Sequence, residues 1–264
     1  MPELPEVQTI INGLNQKILR KEIQEIIEFR PGTIIWQIPF TSLGKVVSIS
    51  RRGKYILLQT SNKINLIIHL RMTGKLVFET DLSKSSTHSR AEIIFRDKTK
   101  LIFNDIRTFG KIQIMKKDEE IAAFQNLGVE PLSEEFDAKY LRNELKNKKA
   151  PIKNILLDQR VLAGLGNIYV AEILFRCKID PRKQGNELDL KQLKLIVLHT
   201  KTVLEEAIKH NGTTISDYRS VEDKSGEFQN FLKVYGKKTC ECGAEISKIK
   251  QAGRSTYFCA VCQN

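Results

Sequence analysis

Asn65-Leu66-Ile67-Ile68-His69-Leu70 is an apolar run set between Lys63 and Arg71. It falls far short of the roughly 18 residues that a membrane span needs, and it reads as a strand. Similar short runs lie on either side of it. Val46-Val47-Ser48-Ile49, Tyr55-Ile56-Leu57-Leu58 and Leu76-Val77-Phe78 are of this kind, as are Ile93-Ile94-Phe95, Leu101-Ile102-Phe103 and Ile112-Gln113-Ile114. Gly53, Gly74, Asp97 and Gly110 punctuate them. Many short strands with turn residues between them predict a two-sheet β-sandwich rather than a βαβ fold.

The pattern differs outside this block. Upstream, Val7, Ile10, Ile11, Leu14 and Ile18 recur at helical spacing and predict a helix with one buried stripe. Downstream, strand signals stop, and residues 118–134, with Gly128 and Pro131, read as the end of a domain and a linker. Ser133-Glu134-Glu135-Phe136 resembles a capping box and predicts a helix start. The longest helix is expected from about Asp189 to His210, stopped by Asn211-Gly212. Residues 219–227 are polar and read as a loop. The expected class is α+β: an N-terminal helix and β-sandwich domain (1–126), a linker (127–134), a helical domain (135–230) and a cysteine-rich unit (231–264).

Composition narrows the partner. Among 264 residues, Lys plus Arg number 43 and Asp plus Glu 31, a formal charge of +12. Such an excess points to a polyanion, either nucleic acid or an anionic membrane face. No apolar run is long enough to span a bilayer, and the acidic, proline-containing start Met1-Pro2-Glu3-Leu4-Pro5-Glu6 has no signal-peptide character. The expectation is an intracellular protein that binds nucleic acid, with no membrane partner. No heptad seam is visible, so a monomer is expected.

Four of the five cysteines crowd the C-terminal end as Cys240-Glu241-Cys242, sixteen further residues, then Cys259-Ala260-Val261-Cys262. Two close pairs at this separation suit a zinc ribbon, in which two turns each supply two thiolates to a tetrahedral ion; paired disulfides are the alternative. One structural zinc ion held by Cys240, Cys242, Cys259 and Cys262 is expected. Cys177 reads as a small buried hydrophobe. A metal-pinned hairpin through Gly253-Arg254-Ser255 could aim the Arg254 guanidinium at a phosphate, although a solvated hairpin arginine fits the spacing as well.

Other residues could carry chemistry. With Met1 removed, Pro2 presents a secondary amine, and α-amino groups titrate at about 7.7–8.0. That amine could attack C1′ of a deoxyribose to form an iminium, with Glu3 beside it to move protons. The spacing alone leaves an ordinary chain start as the simpler reading. Arg51-Arg52-Gly53-Lys54 puts basic groups on a glycine turn, and Gly164-Leu165-Gly166-Asn167 opens a helix where backbone amides and the Asn167 side chain favour an anion.

Taken together the motifs resemble the formamidopyrimidine-DNA glycosylase family. The resemblance is carried by Met1–Val7, Arg52-Gly-Lys-Tyr55, His69-Leu-Arg-Met-Thr-Gly74 and Asp105-Ile-Arg-Thr-Phe-Gly110. It continues through Leu156-Leu-Asp-Gln-Arg160, Ala163-Gly-Leu-Gly-Asn-Ile-Tyr169 and the cysteine-rich end. It implies a helix–two-turn–helix domain and a bifunctional enzyme. Such an enzyme flips an oxidised purine, such as 8-oxoguanine or a formamidopyrimidine, out of duplex DNA, excises it and cleaves the strand by β,δ-elimination. By that resemblance Pro2 is the nucleophile, Glu3 the general acid/base, and Lys54 a phosphate contact that assists catalysis. His69 belongs to a DNA-contacting motif. Met72, Arg107 and Phe109 fill the vacated stack, since lost stacking must be offset by an inserted wedge. Lys153, Asn167 and Arg254 match phosphate contacts, and 213–228 matches a loop that closes over the damaged base. A bacterial-type, cytoplasmic enzyme is implied.

Three positions depart from the family pattern. Gln8 stands where the family usually has Glu, Ala171 precedes Glu172, and the first cysteine pair has one intervening residue instead of two. The Leu4 motif favours this branch over the endonuclease VIII branch, which acts on oxidised pyrimidines. A non-catalytic DNA-binding protein is the expectation if Met1 is retained, and a zinc-ribbon RNA-binding factor would explain the charge and cysteines but not the N-terminal motif.

Overall fold

The strand predicted at residues 65–70 lies inside a β-array with a strand paired on either side, as Ile64–His69 with all six residues buried. In this computed structural model, residues 1–39, 42–119, 124–214, 220–221 and 224–264 are described. The chain divides into two compact units, 1–125 with 210–227, and 126–209 with 228–264.

The first unit opens with α1 (Leu4–Lys17), followed by β1 (Glu22–Glu28), β2 (Ile34–Trp36), β3 (Gly44–Arg52), β4 (Tyr55–Thr60) and β5 (Ile64–His69). It continues with β6 (Lys75–Glu79), β7 (Ser89–Phe95), β8 (Lys100–Asn104) and β9 (Lys111–Lys116). The strand order is β2-β9-β5-β4-β3-β1-β7-β8-β6. Only two residue pairs, Glu22 with Lys45 and Ile23 with Gly44, join β1 to β3. The array therefore bends at this seam into two halves, and both contribute to one core: Ile56, Leu58 and Ile68 from one half, Ile93, Phe95 and Phe103 from the other. The predicted stripe Val7, Ile10, Ile11, Leu14 and Ile18 of α1 joins the same core.

Two strands have no counterpart in the sequence reading. In β1 the register shifts between Ile23 and Glu25, so the bulge breaks the alternation that marks a strand. The three-residue β2 is a parallel addition to β9, a pairing with no local signal.

The second unit contains α2 (Ala138–Leu145), α3 (Ile152–Leu157), α4 (Asn167–Arg176) and α5 (Leu190–Lys209), then the hairpin β10 (Ser247–Gln251) and β11 (Arg254–Phe258). Its helices bury Leu141, Ile152, Leu156, Tyr169, Leu174, Ile196 and Leu204. The helix start expected at Ser133 falls at Asp137 instead. The Asp137 carboxylate accepts the Tyr140 N–H at 2.6 Å, while the Ser133 hydroxyl donates to the Glu130 carbonyl. Residues 127–134 also pack into this unit, through Gly128 N–H on the Gln159 carbonyl and a bridge between Val129 and Leu162.

One segment breaks sequence order. Residues 210–227 belong with the first unit, where Val221 joins the core and accepts the Phe78 N–H at 3.1 Å. Among the described residues, no helix is long and apolar enough to cross a membrane.

Candidate nucleic-acid interface and metal centre

The first residues of α1 form a closed arrangement. Glu3 is the N-cap, and Glu3 and Glu6 form a reciprocal capping box in which Glu3 N–H donates to Glu6 Oε2 at 2.8 Å. The other Glu6 oxygen accepts the Thr213 N–H at 2.7 Å. Pro2, Glu3 and Glu6 are all buried. Gly212 lies against this carboxylate with φ +76°, and a Cβ there would stand 2.8 Å from Glu6 Oε1, so the position requires glycine.

Lys54 sits in a two-residue turn, because Arg52 pairs with Tyr55, and Gly53 takes φ +55° at the first turn position. Unlike a solvated turn lysine, Lys54 is buried. At the departing Gln8, the side-chain oxygen accepts Arg51 Nε–H at 3.1 Å and the amide donates to Asn12. The acceptor facing Arg51 is kept and the negative charge is not.

His69 ends β5 with its ring edge-on to Tyr55, centroids 4.5 Å apart. Burial, then the positive charges of Arg71 and Lys54, lower its pKa to about 3. Nδ1 accepts the Arg71 N–H at 2.9 Å, so the neutral ring carries its hydrogen on Nε2. His69, Tyr55, Arg71 and Lys111 line a hollow of about 460 Å³.

Met72 and Phe109 are 40% and 53% exposed, which is unusual for residues that sequence patterning alone would place in a core. They occupy two separate turns, 70–74 and 105–110. The Arg107 guanidinium lies over the Phe109 ring, 5.2 Å from its centroid. Asp105, buried beneath these turns, accepts the Thr73 hydroxyl and the Gly110 N–H, the latter at 2.7 Å.

In the second unit Lys153 is buried and donates to Thr256 Oγ1 at 2.6 Å and to the Ser255 carbonyl at 3.0 Å. Burial and then the nearby Arg254 charge lower its pKa to about 8. Asn167, the first residue of α4 after the Gly166 N-cap, donates to the same Ser255 carbonyl at 2.9 Å. The Lys153 and Asn167 side chains thus grip the hairpin strand that begins at Arg254, while Arg254 itself is exposed.

The four C-terminal cysteines converge. Their sulfurs all lie within 4.8 Å of one another, with Cys240 to Cys262 at 3.9 Å and Cys242 to Cys259 at 3.7 Å. A disulfide needs about 2.05 Å. A tetrahedral ion with bonds of about 2.3 Å places its sulfurs about 3.8 Å apart, so the cluster fits a thiolate-bound metal. The shortened first pair still closes the site, because Gly243 N–H returns to the Cys240 carbonyl and Cys240 N–H to the Ala244 carbonyl. Cys177 is buried well away in sequence, its thiol pushed up to about 12 by burial.

Sequence reasoning missed two anchors of this unit. The buried Glu172 carboxylate accepts the N–H groups of Lys233, Val234 and Tyr235 at 2.8–3.0 Å. Gln263 ties the last cysteine turn to the Ile179 carbonyl at 2.8 Å. Asp105 and Thr73 were quoted only as parts of motifs. The Glu172, Gln263 and Thr73–Asp105 contacts join residues 32 to 84 positions apart and so carry no local signal. Part of the expected 213–228 loop, residues 215–219 and 222–223, lies outside the described residues.

A strongly basic chain with a four-cysteine hairpin points to a nucleic-acid-binding protein with a metal centre. Comparison with known proteins sharpens this. Residues 1–112 match the formamidopyrimidine-DNA glycosylase N-terminal domain, 127–219 the formamidopyrimidine-DNA glycosylase H2TH domain, and 241–264 the zinc finger found in FPG and IleRS. The formamidopyrimidine-DNA glycosylase of Wolbachia pipientis subsp. Culex pipiens is 41% identical across the whole of both chains, and that of Rickettsia bellii 37% across all of this chain and 99% of its own. A Lactococcus lactis FPG variant bound to a Fapy-dG containing DNA superposes with TM-score 0.92 at 38% identity, covering 99% of each chain. The Lactococcus lactis Fpg bound to an abasic site containing DNA gives 0.90 at 37%, with the same coverage. The chain belongs to the formamidopyrimidine-DNA glycosylase family, DNA-repair enzymes that act on damaged bases.

Proposed function

We propose that this protein excises oxidised purines, 8-oxoguanine and formamidopyrimidines, from duplex DNA and then cleaves the abasic strand by β,δ-elimination. The observation that carries the reading is the buried N-terminal arrangement, in which Glu6 holds the Glu3 backbone and thereby fixes Pro2 and the Glu3 carboxylate at the head of α1. Once Met1 is removed, the Pro2 nitrogen lone pair forms a bond to C1′. The glycosidic bond breaks with its electrons going to the base, which takes up the proton released by the amine. Glu3 then delivers a proton to the sugar ring oxygen, the C1′–O4′ bond breaks with its electrons on that oxygen, and the nitrogen lone pair completes the iminium. Loss of a C2′ proton from that iminium expels the 3′ phosphate, and a second elimination expels the 5′ phosphate.

The remaining roles follow from placement. Lys54 and His69 contact phosphate beside the everted nucleotide, His69 as a neutral Nε2–H donor. Met72, Arg107 and Phe109 occupy the vacated stack, with Arg107 bonding the orphaned base. Lys153, Asn167 and Arg254 serve phosphate binding, the first two through the hairpin they hold. One zinc ion on Cys240, Cys242, Cys259 and Cys262 would supply no reaction chemistry; it would pin the hairpin that carries Arg254.

The test is borohydride trapping on duplex DNA bearing 8-oxoguanine opposite cytosine, with intact mass on the same preparation. A trapped complex from protein lacking Met1, mapped to Pro2, is the expected result. Tight binding without an adduct from such protein would instead mark a non-catalytic DNA-binding protein. Faster excision of thymine glycol than of 8-oxoguanine would move the reading to oxidised pyrimidines.

A further inference from the structure

The Met72 turn and the Arg107–Phe109 turn are separate in sequence, and their apolar side chains are exposed. Packing of those side chains into the core therefore does not hold the turns in place. The backbone does. The Thr73 hydroxyl donates to Asp105 Oδ1, and the same hydroxyl accepts the Arg107 N–H at 3.0 Å. Arg107 N–H is shared with Asp105 Oδ1 at 3.2 Å, and Asp105 Oδ2 accepts the Gly110 N–H at 2.7 Å. Asp105 is itself anchored to β7 and the turn before it: its N–H donates to the His88 carbonyl at 3.0 Å and its carbonyl accepts Arg90 Nε–H at 2.7 Å. Gly110 must be glycine in this arrangement, since a Cβ there would stand 3.2 Å from Asp105 Oδ2 and 2.4 Å from the Phe103 ring.

We propose that Thr73 and Asp105 are positioning residues that latch the two turns together, so that Met72, Arg107 and Phe109 enter a duplex as one preformed wedge. The proposal rests on the base-everting role given to those three side chains above. A wedge assembled only after contact would spend binding free energy on ordering two turns; a latched one has met that cost in folding. The latch so proposed acts through the wedge alone, so its effect is confined to steps that need the stack opened.

The experiment uses full-length, zinc-loaded protein carrying Thr73→Val, which removes the hydroxyl at nearly constant volume, and Thr73→Ser, which restores it. Two DNA substrates carry 8-oxoguanine, one fully paired and one flanked by mismatches that already unstack the lesion. Thr73→Val is expected to slow single-turnover excision from the paired duplex about tenfold, the scale of one lost hydrogen bond in a buried network. Excision from the mismatched duplex stays near wild type, and Thr73→Ser recovers the paired-duplex rate. Asp105→Asn should show the same selectivity and guards against a folding defect peculiar to valine. Equal slowing on both substrates, no slowing on either, or failure of Thr73→Ser to rescue would overturn the latch. A second readout needs no chemistry: 2-aminopurine placed opposite a tetrahydrofuran abasic analogue should brighten on binding wild type and much less on binding Thr73→Val. If wild type brightens that probe but excises nothing, the glycosylase reading fails and the latch stands; equal brightening by both proteins removes the latch alone.

Discussion

Glu6 joins the first turn of the chain to Thr213, 207 residues away, by accepting the Thr213 N–H on one carboxylate oxygen while the other accepts the N–H of Glu3. Both oxygens receive N–H donors, and an amide has only one acceptor oxygen. Glu6→Gln therefore turns an NH₂ group towards a backbone N–H whichever way it is oriented. Such a mismatch in a buried site costs about 1–3 kcal/mol. The variant should melt several degrees below wild type, and borohydride trapping at saturating DNA should slow more than DNA affinity falls. Trapping at the wild-type rate would show that the Glu3 backbone holds without this carboxylate.

His69 yields a pH prediction of definite sign. Its folded pKa is about 3 against 6.5 for an ordinary histidine, because burial and the Arg71 and Lys54 charges oppose protonation. Below pH 6.5 the unfolded chain takes up a proton that the folded chain refuses, so stability falls as pH drops from about 6.5 towards 3. Above pH 7 the group has no such effect. At pH 4.5 the loss traceable to His69, relative to pH 7, is about 2.5 kcal/mol. Urea unfolding of wild type and His69→Gln at pH 7 and pH 4.5 measures it: the variant should lose less stability on acidification. Parallel losses would place the acid sensitivity on other groups.

The contrast between these two residues shows what a sequence can carry. The strand that His69 ends was legible as a short, mostly apolar run, and the same patterning located α1 and six other strands, whereas the place of His69 in a DNA-contacting motif came from the family resemblance. The Glu6 to Thr213 bond was not, since a backbone N–H 207 residues away leaves no periodicity to read. The same holds for Thr73 on Asp105 and for Glu172 on residues 233–235. A bulge concealed β1, and Asp137 outcompeted Ser133 as a cap because its carboxylate faces an unpaired first-turn N–H. Local rules thus placed the elements and the resemblance named the candidate side chains, while the groups that fix those side chains act across the fold.

Ala252 occupies a position that its side chain disfavours. Gln251 pairs with Arg254, leaving Ala252 and Gly253 as a two-residue turn with φ +45° and +77°. That is the pattern of a type I′ turn, whose first position favours Asn, Asp or Gly. Ala252→Asn should relieve roughly 1 kcal/mol of left-handed strain. The expected outcome is a higher melting temperature for the metal-loaded protein and slower metal loss to a chelator. An unchanged or lowered melting temperature would mean that this turn contributes no strain to the fold.

Metal removal should act on DNA binding through Arg254 and not through charge at the ion. A four-thiolate centre carries a formal negative charge once loaded with a divalent ion, so stripping it does not remove an attraction for phosphate. What is lost is the turn geometry that fixes β10 and β11, which Lys153 and Asn167 grip through Ser255. Chelation, or Cys242→Ser, should therefore weaken affinity for duplex DNA and reduce the slope of log K against log salt by about 0.9, one phosphate contact. Arg254→Ala in the metal-loaded protein should reduce it by the same amount. In the double case, Arg254→Ala after chelation, the slope should drop no further, because both changes remove one and the same contact. A second full decrement would show that the metal holds some other phosphate-binding group and that Arg254 acts independently of it.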